Sequence, residues 1–123
     1  MKKIIAVVIL GFCSVSGFAG QTSFKVHDKA AMDQKMEEFK NQYTQRKNAL
    51  LQSIDPHATS LTVQQKQQMC QSTQIYFNNV YELMDQNRNL LKPEKREFTR
   101  EQFKAMFLTR AGLSLKQINC NFI

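Results

Sequence analysis

Two adjacent heptad columns constrain this chain more than any other feature. Met69, Tyr76, Leu83 and Leu90 recur every seven residues, and Cys70, Phe77, Met84 and Leu91 repeat one position later, with Val80 between them. Residues seven apart stack two turns above one another in a helix, so neighbouring columns make a broad apolar face rather than a narrow seam. Such a face is suited to burial against two neighbours at once. It predicts a long helix over about 63–91. The other faces carry Gln64, Gln67, Gln71, Gln74 and Asn78, which are polar but hardly charged.

A second apolar stripe precedes it. Met32, Met36, Phe39, Tyr43 and Leu50 fall at spacings of three, four and seven, with Arg46 on the same stripe. Asp28 stands where an N-cap belongs. Pro56 ends the pattern, because the residue before a proline avoids helical angles. The spacing predicts a helix over about 28–53. Beyond Pro93, the run Phe103, Met106, Phe107 and Arg110 predicts a third helix over about 100–111, closed by Gly112. A short fourth helix is expected over 115–119, after Ser114. The fold class is therefore all-α: a small helical bundle, two long helices forming a hairpin and a third and a short C-terminal helix covering part of it.

Three predicted helix starts share one form. Thr62-x-x-Gln65, Thr99-x-x-Gln102 and Ser114-x-x-Gln117 each fit a capping box, in which the hydroxyl accepts from the third helical N–H and the glutamine reaches back. Leu61-Thr62-Val63-Gln64-Gln65, and more loosely Phe98-Thr99-Arg100-Glu101-Gln102, also resemble the LTxxQ motif of the CpxP and Spy periplasmic proteins. The resemblance covers five residues and implies a small helical stress protein of a family that includes a chaperone.

The N-terminus reads as a leader. Met1-Lys2-Lys3 is followed by an apolar run over residues 4–12, and Gly17-Phe18-Ala19 offers small residues at a cut site. This is the layout of a secretory signal peptide, cleaved after Ala19. The apolar run is shorter than the roughly 20 residues a membrane span needs. Cys13 raises a lipoprotein reading, but Phe12 stands where a small residue is wanted. The expected destination is the bacterial periplasm or the exterior. Removing residues 1–19 from 123 leaves 104, a single helical domain over 20–123. Lys2 and Lys3 leave with the leader, which lowers the formal charge from +7 to +5.

Two cysteines then remain, Cys70 and Cys120. An even count in an oxidising compartment predicts one disulfide. Helix lengths agree. From Leu91 back to Cys70 is about 31 Å, and the third and fourth helices return about 18 and 9 Å.

Chemistry of a catalytic kind is not expected. His27 and His57 fall in predicted linkers, and His27 and Asp28, adjacent in sequence, would not face one another on a helix. No H-E-x-x-H, paired metal spacing, phosphate loop or nucleophile elbow is present. A non-enzyme without cofactor or metal follows. The basic excess lies after Gln86, and it attracts acidic partners or anionic surfaces. The candidate partner-binding residues are Arg46, Lys92, Lys95, Arg96, Arg100, Lys104 and Arg110. Arg46 and Arg110 fall on apolar stripes, so each either snorkels at the core rim or lines a groove. Met32, Met36, Met69, Met84 and Met106 fall on apolar faces, as core or as an adaptable binding surface. The expected function is binding of another protein in the periplasm, as a chaperone or stress adaptor. The alternatives are an immunity protein or inhibitor of a periplasmic toxin or hydrolase, and an accessory of a secretion or pilus apparatus. No nucleic acid is expected as partner, only weak contact with anionic membrane, and a homodimer is open.

Overall fold

Asp28 starts the first helix as the sequence predicts. In the computed structural model, which describes residues 23–111 and 120–121, its carboxylate accepts from the Ala31 N–H at 2.7 Å. Helix α1 then runs over Lys29–Gln52. Ser53 closes it by donating its N–H to the Leu50 carbonyl, and the Asp55 carboxylate accepts from the His57 N–H in the turn that follows. Helix α2 spans Val63–Gln86, antiparallel to α1 in a hairpin. Thr62 and Gln65 form a reciprocal capping box at its start, at 3.1 and 2.9 Å. Thr99 and Gln102 repeat it at the start of helix α3, Arg100–Ala111. The described residues contain no strand.

Helix α2 ends five residues before the predicted boundary, and Asn87 is the cause. In a continuing helix the Leu83 carbonyl would take the Asn87 N–H. Instead that N–H bonds the Met84 carbonyl at 3.2 Å, and the Asn87 side-chain amide takes the Leu83 carbonyl at 2.8 Å. The chain tightens into 3-10 turns at Arg88–Leu90 and Pro93–Lys95. The same side chain donates to the Phe24 carbonyl at 2.9 Å and accepts from the Val26 N–H at 3.0 Å. Gln86 accepts from the Phe24 N–H at 2.7 Å. An extended N-terminal segment, unpredicted by the sequence patterns, is thus fastened to the end of α2. Asn87 is fully buried, and its bonds satisfy it as burial of an amide requires.

The two heptad columns face inward. Phe77, Val80, Leu83 and Leu91 are buried together with Met32 and Phe39 of α1 and Phe103 of α3. Aromatic rings dominate the packing. Phe77 meets Phe103 and Phe107 at 5.5 and 5.2 Å between centroids, and Phe24 meets Phe39 edge-on at 5.2 Å. Cys70 and Cys120 are bonded, their Cα atoms 5.4 Å apart across 50 positions of sequence. Among the described residues no helix is long and apolar enough to cross a membrane. The expected signal peptide and cut after Ala19, Gly112, the Ser114 box and the helix over 115–119 lie outside the described residues.

Candidate functional site

Helices α1 and α3 both lie on α2, and an open groove of about 1030 Å³ runs between them. Its floor is one stripe of α2, Met69, Thr73, Tyr76, Val80 and Met84. Spacings of three and four put these side chains on a single helix face. Met36, Tyr43 and Lys47 of α1 form one wall, and Phe103, Met106, Phe107 and Arg110 of α3 form the other. Glu94, Lys95, Glu97 and Phe98 border one end. Met106 stays 44 % exposed, a large apolar side chain at the rim.

Tyr43 and Tyr76 stack in the middle of this groove, with centroids 4.8 Å apart and planes 12° from parallel. Thr73, buried beneath them, donates to the Met69 carbonyl at 2.8 Å and lies 3.4 Å from the Tyr43 hydroxyl. Burial raises the Tyr76 phenol above its ordinary range, with smaller additions from Tyr43 and Glu37 nearby. Its hydroxyl therefore stays protonated and offers a hydrogen bond well into alkaline solution.

The sequence-predicted binding residues separate into three groups. Lys95 and Arg110 border the groove. Arg96 and Arg100 are engaged internally: Arg96 donates to the Leu91 and Asn89 carbonyls at 2.9 and 3.2 Å. Arg100 lies over the rings of Phe77 and Tyr81, 5.1 and 4.8 Å from their centroids, and donates to Asn78 at 2.8 Å. Arg46 and Lys92 are exposed and do not line the groove, and half-buried Lys104 does not line it either. Lys47, one position beyond Arg46, takes the place at the wall. Sequence reading also missed Thr73, a polar residue inside an apolar stripe. His27 and Asp28 do touch, at 3.3 Å, because neither lies in a helix; both are exposed. Among the described residues no three His, Cys, Asp or Glu side chains converge to hold a metal.

No protein family, curated protein or solved structure matches the chain. The pentapeptide that resembles the LTxxQ motif has the geometry of a helix cap at both of its described occurrences.

Proposed function

We propose that this is an exported, non-enzymatic binding protein that takes an exposed apolar segment of another protein into the groove, in the manner of a chaperone or stress adaptor. One observation carries the reading. Of the five methionines after the expected leader, Met36, Met69, Met84 and Met106 line the groove, and only Met32 belongs to the buried core. Methionine is flexible and polarisable, and it suits surfaces that re-pack around different apolar partners. Stacked Tyr43 and Tyr76 add flat apolar area with polar tips, a common composition of binding surfaces. The disulfide supports export, because such bonds persist in oxidising compartments such as the periplasm.

The test is aggregation of at least two unrelated unfolded proteins, followed by light scattering. The oxidised protein should suppress both near equal stoichiometry. Met106→Glu should lose most of this effect while its helical circular dichroism is unchanged. Tight one-to-one binding of a single enzyme, without suppression, would replace this reading with that of an immunity protein or inhibitor. Neither behaviour would remove it.

A further inference from the structure

We propose that the groove is directional: it takes an apolar helix whose acidic C-terminal end lies at Lys47 and Arg110 and whose N-terminal end lies at Glu94 and Glu97. The proposal rests on the groove being a protein-binding site and adds the chemistry and orientation of the occupant.

Ring contacts fix the groove's two ends. Tyr43 stacks on Tyr76, so Lys47, one turn further along α1, lies towards Met69. Phe107 packs on Tyr76 and Phe77 at 5.9 and 5.2 Å, so Arg110, near the end of α3, lies towards Met69 as well. Phe98 meets Tyr81 at 6.1 Å, which sets Glu94, Lys95 and Glu97 at the opposite end, beyond Val80. One end therefore carries two cations and the other two acids with one cation. Among the described residues Lys47, Arg110, Glu94 and Glu97 form no ion pair with one another or with any other residue. Their charges face whatever enters.

Length selects a helix. From Met69 to Met84 the floor extends about 22 Å, which is about four turns of an α-helix. A bound helix would seat one apolar stripe between the walls, as amphipathic helices do in hydrophobic grooves. The neighbouring helix dipoles oppose this direction in part: α2 presents its N-terminus at the Met69 end while α1 and α3 present their C-termini there, a net of about half a negative charge against the two full positive charges of Lys47 and Arg110. Side-chain charge decides. Acids and the negative dipole end of the ligand helix are drawn to Lys47 and Arg110. The bound helix then runs antiparallel to α2, on which it lies.

Two labelled 16-residue peptides test this with the oxidised protein and fluorescence anisotropy. They share one apolar stripe. One carries Lys in its first turn and Glu in its last; the other has these charges exchanged. The first should bind about five- to tenfold more tightly at low ionic strength, with the preference shrinking in high salt. Lys47→Glu with Arg110→Glu should reverse the order. Equal binding of both peptides, unchanged by the double variant, overturns direction and leaves the groove as a binding site. Failure of both peptides to bind overturns the groove reading and the proposal with it. Binding seen only after Cys120→Ser makes residues 112–119 the occupant. Self-association displaced by either peptide makes it a second copy. Either result overturns the proposal.

Discussion

Replacing Asn87 should cost more than its surface-like residue type implies. Its side chain is fully buried and bonds the Leu83 carbonyl, the Phe24 carbonyl and the Val26 N–H. At about 0.5–1.5 kcal/mol net for each bond, Asn87→Ala should lose roughly 3 kcal/mol, since the buried Leu83 carbonyl loses this partner and the half-buried Phe24 and Val26 groups lose theirs. Urea unfolding followed by far-ultraviolet circular dichroism measures this, with the slope against urea unchanged if only stability is affected. Asn87→Asp sharpens the test. One oxygen can still accept from Val26, but the group facing the two carbonyls becomes an acceptor. When protonated it can donate to one of them; when ionised it repels both. The folded state therefore holds this proton more tightly than the unfolded state. Its stability deficit relative to the parent chain should be smallest near pH 4 and grow as pH rises through the raised carboxyl range. A loss below about 1 kcal/mol for Asn87→Ala, against the roughly 1–3 kcal/mol expected for even one orphaned buried group, would refute the reasoning. So would an Asn87→Asp deficit that is flat between pH 4 and pH 8.

Two further outcomes follow from the same contacts. Cys70→Ser should lower stability by about 4 kcal/mol in the chain-entropy model for a loop of about 50 residues. Equal urea midpoints with and without reductant would contradict it. The raised Tyr76 phenol makes stability fully present below the unfolded value of about 10 and lost as pH rises from there through the folded value, because the unfolded chain gives up that proton first. Alkaline absorbance titration should show one tyrosine ionising late, and Tyr76→Phe should remove it.

Helix identity was legible because burial repeats along the sequence. The columns from Met69 to Leu91 predicted a face, and Phe77 and Leu83 are buried on it, while Leu91 is buried beyond the helix end. Caps at Asp28, Thr62 and Thr99 were legible for a local reason: donor and acceptor lie three residues apart. The disulfide was legible by count, since only two cysteines follow the expected leader. Where partners are distant, the sequence was silent. Nothing near Asn87 announces that Val26, 61 positions earlier, will bond to it. The stripe of α1 pointed to Arg46, three residues beyond Tyr43, although Lys47, four beyond it, lies as near to that face. The roll of α1 upon α2 makes the choice, and it places Lys47 at the wall.

Net charge shows the same distinction between what a sequence counts and what a fold leaves available. The chain carries a formal +7, and its last third reads as a basic patch. Within it Arg88 lies over Phe98, 4.0 Å from the ring centroid, pairs with Asp85 at 2.8 Å and donates to the Arg96 carbonyl. Arg96 and Arg100 are likewise bound to carbonyls, rings and Asn78. These guanidinium groups knit the turns after α2 to the start of α3. An arginine already bonded in its fork geometry must break those bonds to meet a carboxylate or phosphate, so this segment offers a partner fewer donor groups than its composition implies. Lys47 and Arg110 are different, because they border the apolar groove and are exposed, with no ion pair among the described residues. In the proposed binding mode, these two cations and the acids at the opposite end would set which partner the groove selects.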